Sequence, residues 1–376
     1  MRPLKIGIDI HSIGSQKGGN ETYYRELIRE MAQLSCTHNF YLYYTHPGAD
    51  QQIPASRRFT VRRLKPASPW FRIPFAFPWY VRQDELDVFH AQFIVPPFLK
   101  CKTVTTVPDI AYEHFPESFP AHQRALLKLL VTESVRRADH VITVSEYSKK
   151  DIAETYGLSA EKITVIYEGA GDEFVPLDKA EARECLARKY SICGEFILYL
   201  GRLQARKNLV RLVDAYAQVR QAGFRQKLVL AGKPDSLFEP VLTRIRELEL
   251  QGEILLTGYI APDDVPKLYN AAKVFVYPSY FEGFGLPPLE AMKCGAPVIV
   301  GNQTSLPEVV GNAGLLVDPF DADAIAGAID RVIRDSNLRA ELGKKGLARA
   351  QLFDWRETAR QTLQVYQQAV GVVQSS

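Results

Sequence analysis

Two series of strand-like runs, the second restarting after an interruption, constrain the fold of this sequence more than any other feature. In the first, LKIGIDI, FYLYYT, FTVRRL, DVFHA, KTVTTV, DHVITV and KITVIY are short and rich in β-branched or aromatic residues, and helical patterns separate several of them. Tyr24, Leu27, Ile28 and Met31 recur at i, i+3, i+4 and i+7, which puts them on one face of a helix. A similar pattern runs through Leu126–Val135, and Ser145 is the expected N-cap of a helix ending before Gly157. The tract EGAGDEFVPLD (Glu168–Asp178) breaks the rhythm with glycines, acids and a proline. Alternation then restarts with FILYLG, KLVLAG, EILLTG, KVFVYP, PVIVG and GLLVD. Two such series argue for two doubly wound parallel α/β sheets, and 376 residues exceed one ordinary domain. The expected division is a first Rossmann-like domain over 1–172, a second over 173–355, and a C-terminal helix over 356–376 crossing back to the first. Ligands of such sheets bind beyond the carboxyl ends of the strands.

The bulk properties exclude several classes. With 46% hydrophobic and 24% charged residues the chain has a globular composition, and no apolar run approaches the roughly 20 residues of a spanning helix. The opening MRPLKIGIDIHS is broken by Asp9 and His11 and reads as a strand, not a signal peptide. Cys36, Cys101, Cys185, Cys193 and Cys294 form no CxxC pair, which suits reduced thiols in the cytoplasm. A net charge of +3 gives no reason to expect nucleic acid. One stretch is skewed: Arg57, Arg58, Arg62, Arg63, Lys65, Arg72 and Arg82 lie between Asp50 and Asp84 with no acid among them, beside Trp70, Phe71, Phe75, Phe77, Trp79 and Tyr80. Either these residues meet an anionic membrane or lipid-linked ligand, making the protein peripheral at the inner face of the membrane, or the aromatics pack on the core.

The richest tract for chemistry is PSYFEGFGLPPLEAMKCGAPVI. A strand runs into a glycine turn and then a helix, so the amides of Gly283, Phe284, Gly285 and Leu286 are placed to meet hydroxyls or anions. Glu282 and Glu290 stand eight residues apart, at most roughly 12 Å along a helix, and two carboxylates so spaced can grip the hydroxyls at two ends of an extended ligand. Taken alone they read better as ordinary helix carboxylates, one in the first turn and one facing solvent. YLGRLQARKN adds Arg202 and Lys207 after a strand, where two cations suit a diphosphate and do the work of a metal. GSQKGGNETYYREL places Gly18 and Gly19 at the start of the first helix.

EGFGLPPLE and GRLQARKN, together with RRADHVITVSEYSKKDI, LLTGYI, SLPEVVGNAGLLVDP and FDWRETA, resemble family 4 of the retaining glycosyltransferases, over nearly the whole chain and toward its bacterial mannosyltransferase-like branch of polysaccharide and glycolipid assembly. The resemblance implies a GT-B fold, two Rossmann-like domains facing a central cleft. It further implies retaining transfer of a hexose from a GDP- or UDP-sugar to a glycan or lipid-linked acceptor, with no metal or cofactor. On this resemblance Glu282 holds the hexose, Glu290 the ribose, Arg202 and Lys207 the diphosphate, and Gly18 and Gly19 close over the donor. Donor choice falls near Gly232, Lys233 and Tyr259. The departing phosphate takes the acceptor proton, and Glu282→Ala is expected to remove transfer with the fold intact.

One departure stands out, because Pro108 of VPDIAYEHFPE occupies the position of an expected His, with Asp109 retained as a catalytic or capping residue. The role is structural, or His11, His90 or His114 substitutes, or the enzyme is slow. The DAD at Asp321–Asp323 opens a helix pattern and reads as a cap, not a metal site. The absence of a GxGxxG after the first strand argues against a dehydrogenase. An epimerase on the same fold and a non-catalytic sugar-nucleotide-binding paralogue are the competing readings.

Overall fold

The computed structural model describes residues 2–15, 18–235 and 237–371, and the chain divides into two compact units. Unit 1 holds the residues up to Glu168 together with those from Asp354 onward, and unit 2 holds Gly169–Phe353. Every strand-like run of the sequence is a strand. Unit 1 contains β1 (Lys5–Asp9), β2 (Asn39–Tyr44), β3 (Phe59–Arg63), β4 (Val88–Gln92), β5 (Lys102–Thr106), β6 (His140–Thr143) and β7 (Ile163–Val165). Unit 2 contains β8 (Phe196–Leu200), β9 (Lys227–Ala231), β10 (Ile254–Gly258), β11 (Val274–Tyr277), β12 (Val298–Gly301) and β13 (Leu315–Val317).

Both sheets are parallel throughout, in the orders β3-β2-β1-β4-β5-β6-β7 and β10-β9-β8-β11-β12-β13. Each is wound outward from its centre, so the order reverses between β1 and β4 in one unit and between β8 and β11 in the other. Loops leaving the carboxyl ends of two such neighbours diverge to opposite faces and leave a crevice for a ligand.

Local signals hold as well. The helix Gly19–Gln33 buries Tyr24, Leu27, Ile28 and Met31 on one face, as its periodicity requires. Ser145 caps Glu146–Tyr156 by accepting from the Ser148 amide, and Gly157 ends that helix in the left-handed region. Asp321 caps Ala322–Arg334 by accepting from the amides of Asp323 and Ala324, the role expected of the DAD tract. The C-terminal helix Trp355–Ala369 packs within unit 1 against Gly19–Gln33, with Trp355 edge-on to Tyr23 at 5.9 Å.

Residues 69–83 are helical, with a π turn over Arg72–Ala76 between Pro69–Phe71 and Phe77–Gln83. The aromatics of this segment divide. Phe77 is buried against Tyr43 and Phe89, at 5.9 and 4.9 Å, and Tyr80 lies against Tyr43. Trp70, Phe71, Phe75 and Trp79 are exposed. Among the described residues no helix is long and apolar enough to cross a membrane.

Candidate functional site

In unit 2 the two loops flanking the sheet reversal carry the residues singled out from the sequence. After β8 the chain makes a single turn of 3₁₀ helix, Ala205–Lys207, and Asn208 adopts a left-handed conformation before the helix Leu209–Gln221. The Asn208 side chain donates to the carbonyls of Pro278 and Pro319, at 3.0 and 2.5 Å, which fastens this turn to the loop after β11. That loop runs from Pro278 to Gly285 and opens the helix Leu286–Lys293.

Glu282 and Lys207 meet there. Both are buried, and the Lys207 ammonium donates to Glu282 Oε1 and, at 2.8 Å, to the Tyr277 hydroxyl. Arg206 adds a second cation, donating to Glu282 Oε2 at 3.3 Å and to the Phe281 carbonyl at 2.7 Å. Burial alone pushes the Glu282 carboxyl up, but the charges of Lys207 and Arg206 outweigh it and bring the group down to about 2. A carboxylate in this setting stays ionised, with its oxygens aimed by the protein. The backbone around it is also fixed: the Glu282 amide donates to Thr304 Oγ1 at 3.1 Å, and Ser305 Oγ donates to the Glu282 and Phe284 carbonyls. Gly285 has φ 132°, a conformation side chains rarely adopt, and a Cβ there would press on Leu306 at 3.0 Å. Phe284 is buried edge-on to Phe353 at 5.7 Å.

Glu290 lies further along the helix and accepts at 2.8 Å from the hydroxyl of Tyr269, which is fully buried. Arg202 is exposed, and its guanidinium makes no hydrogen bond among the described residues, so it is open to an anion. Gly232, at the end of β9, is pressed against the β8 loop; its φ is 138°, and a Cβ there would collide with the Gly201 carbonyl. Lys233 and Tyr259, both exposed, form a cation–π pair at 4.9 Å.

The remaining expectations fall in unit 1. Gly18 and Gly19 are exposed at the start of the first helix, where Gly18 has φ 82°; Gln16 and Lys17 of the same loop lie outside the described residues. Asp109 accepts from the Ala111 amide at 3.0 Å and so braces the loop that leads into the short helix Ala111–His114. The three histidines considered as substitutes at Pro108 are distinct. His90 is buried with both ring nitrogens engaged, at 2.6 Å from the Tyr366 hydroxyl and 2.7 Å from Thr106 Oγ1, and burial pulls its pKa down to about 3. His114 is tied through Nε2 to Asp151 at 2.8 Å. His11 is tied through Nδ1 to Asp9 at 2.9 Å and is partly exposed.

Arg206, Tyr269 and Tyr277 were not singled out from the sequence. Arg206 was available in the same RLQARKN phrase, but only the turn decides which of its cations point at Glu282. The tyrosines look like ordinary strand and helix aromatics until their hydroxyls are located.

Residues 193–349 match the family model described as glycosyl transferases group 1, and residues 17–173 match the one described as glycosyltransferase family 4. The O-antigen chain mannosyltransferase B of Escherichia coli is 36% identical over 294 residues, covering 77% of this chain and 76% of that protein. The chain belongs to family 4 of the glycosyltransferases.

This family 4 glycosyltransferase is also 37% identical over 231 residues to the serotype-specific mannosyltransferase WbdA of Escherichia coli, a match covering 59% of this chain but only 28% of WbdA. Its structure aligns with sucrose-phosphate synthase from Thermosynechococcus elongatus over 98% of this chain and 100% of that one, with TM-score 0.80 and 26% identity. HepE of Anabaena in complex with UDP-glucose aligns over 97% of this chain and 100% of that one, with TM-score 0.76 and 22% identity. The two Rossmann-like units are those of the GT-B fold. The epimerase and binding-only readings gain no support from these relatives.

Proposed function

We propose that the family 4 chain transfers a hexose, mannose by its likeness to the Escherichia coli O-antigen enzyme, from a nucleoside-diphosphate sugar to a glycan or lipid-linked acceptor, with retention of anomeric configuration. The observation that carries this reading is Glu282: a buried carboxylate kept ionised by two cations, at the carboxyl ends of the two strands where the sheet of unit 2 reverses. An oriented, ionised acceptor suits sugar hydroxyls, and its burial makes each hydrogen bond to it strong. Donor binding belongs to unit 2 and acceptor binding to unit 1.

In this assignment Glu282 and the amides of Gly283, Phe284, Gly285 and Leu286 hold the hexose. Glu290, turned by Tyr269, holds the ribose. Arg202 and Lys207 neutralise the diphosphate, which makes a divalent metal unnecessary, while Gly232, Lys233 and Tyr259 border the base. In unit 1, Gly18 and Gly19 leave the start of the first helix open to a ligand, and Asp109 serves as a loop cap. Arg206 is a positioning residue for Glu282. The leaving diphosphate, steadied by Arg202 and Lys207, accepts the proton of the attacking hydroxyl, so no side chain of unit 2 has to act as a base. We place the chain in the cytoplasm, at the membrane through the 57–82 segment, on the support of its exposed aromatics and cations.

The test is turnover of UDP- and GDP-hexoses, followed as release of UDP or GDP, in the presence of EDTA. Transfer or slow donor hydrolysis unaffected by chelator is expected for one nucleotide class. Strong inhibition reversed by Mg²⁺ contradicts the cationic site, and no binding of any nucleotide sugar sinks the assignment.

A further inference from the structure

The geometry points to a second polar site, in unit 1, built from Asp9, His11 and Arg72, that holds a hydroxyl of the acceptor saccharide. The inference rests on the reading of this chain as a glycosyltransferase whose unit 1 takes the acceptor. Asp9 ends β1, one of the two strands between which the sheet of unit 1 reverses, so the site occupies the same topological position as Glu282 does in its own sheet.

Asp9 is buried, and its Oδ1 accepts from the His11 amide at 3.1 Å, while the two carboxylate oxygens lie 2.9 and 3.0 Å from His11 Nδ1. Burial pushes the Asp9 carboxyl up, but the neighbouring His11 and Arg72 bring it below its ordinary value. An ionised carboxylate only accepts, so Nδ1 carries the proton. In the neutral ring Nε2 is then an acceptor whose direction the Asp9 pair sets. Nε2 has no protein partner among the described residues, and the His11 side chain is 31% exposed. The same histidine is thus oriented from beneath and open above.

Arg72 supplies the independent observation. It is 5% exposed, yet its Nε is buried without a partner, and its guanidinium makes no hydrogen bond among the described residues. Its guanidinium lies over the face of Phe77, at 5.8 Å from the ring centroid, and its charge favours the ionised form of Asp9. A buried guanidinium nitrogen left without an acceptor is costly, and an arginine so placed calls for a ligand oxygen. A polyol fits both demands, because one hydroxyl donates to His11 Nε2 while neighbouring oxygens accept from Arg72. A bare anion fits less well, with Asp9 adjacent. Of the histidines weighed against Pro108, His90 stands on β4 at the same reversal but has both ring nitrogens engaged, and His114 lies beyond β5 and is tied to Asp151; at the reversal it is His11 that keeps a ring nitrogen open.

The test uses the full chain and α-mannobiose as probe, by saturation-transfer NMR, with UDP and GDP binding measured in parallel. Wild type binds the disaccharide. His11→Ala weakens it at least tenfold, His11→Gln, which returns an amide oxygen near the Nε2 position, restores it to within about threefold, and nucleotide affinity stays unchanged in both. In transfer assays the acceptor KM rises in His11→Ala while the donor KM does not, a split that a merely structural role would not produce. Wild-type affinity in His11→Ala, or equal loss in the Ala and Gln variants, overturns the site, as does absence of disaccharide binding to wild type. Absence of nucleotide binding overturns the transferase reading instead.

Discussion

Glu282 shows how a residue's neighbours alter what its removal does. From sequence its replacement by Ala should stop transfer and leave the fold intact. The structure changes the second half of that expectation, because Lys207 is buried against it and would keep its charge with no carboxylate opposite. Removing one member of a buried pair costs about 3 kcal/mol, so Glu282→Ala should lose stability as well as activity, while Glu282→Gln keeps the shape and loses mainly transfer. Chemical denaturation alongside turnover separates the two; equal stability of the Ala variant and the parent would mean that Lys207 finds another partner. The acid response has a definite sign. The Glu282 carboxyl is lowered from 4.5 to about 2 in the folded chain, so its stabilisation is complete above pH 4.5 and disappears as pH falls toward 2. The stability gap between the parent and Glu282→Gln should therefore narrow over that window. The charged candidates stood out in the sequence because acids and cations after strands have few structural uses. Arg206 and the hydroxyls of Tyr269 and Tyr277 were not, since their roles depend on which way a turn or ring faces.

Strands and helices were the most legible level, for a physical reason. A parallel strand buried on both faces must be a short unbroken apolar run, and each such run here became a strand. Caps were equally clear where a side chain precedes an amide-rich first turn, as at Ser145 and Asp321. Asp321→Ala should cost about 1 kcal/mol, readable as a fall of a few degrees in Tm with unchanged turnover. Gly232→Ala is a sharper case. The ends of β8 and β9 approach so closely there that a Cβ would collide with the Gly201 carbonyl, and the backbone has φ 138°. A backbone oxygen cannot swing aside as a side chain does, so the two loops must separate. We expect a loss of about 3 kcal/mol together with weaker nucleotide binding, because the Arg202 loop moves with Gly201. A stable variant with parental nucleotide affinity would show that the loops are not coupled. This close approach was invisible in sequence, where KLVLAGK shows a glycine but not what lies above it. The π turn at Arg72–Ala76 was hidden as well, since the prolines at 74 and 78 disfavour a regular helix there.

For the molecule as a whole, the 57–82 stretch bears on where the protein works. From sequence its aromatics could equally pack on the core or meet a membrane. In the structure only Phe77 is fully packed, while Trp70, Phe75 and Trp79 are 71%, 62% and 59% exposed and Phe71 is exposed beside them. Large aromatics left in water on one short helical segment are uncommon, and Trp is favoured at bilayer interfaces. The charges divide too. Arg62 is spent on Asp84, Arg58 on the carbonyls of Met31 and Ala32, and Arg72 is buried. Arg57, Arg63, Lys65 and Arg82 remain exposed, with no acid between Asp50 and Asp84 to offset them. Each cation near an anionic surface contributes about 1 kcal/mol, falling with salt. Arg63→Gln with Arg82→Gln should then weaken sedimentation with phosphatidylglycerol vesicles by roughly thirtyfold at low ionic strength. Trp70→Ser with Trp79→Ser should weaken it in a way that added salt does not mimic, because that part is apolar burial. Arg58→Gln serves as the contrast, since its hydrogen bonds are internal: it should lower stability and leave vesicle binding near the parent's. Equal binding to neutral and anionic vesicles, or loss of binding only in Arg58→Gln, would remove the membrane from the account and leave the exposed aromatics to a protein partner.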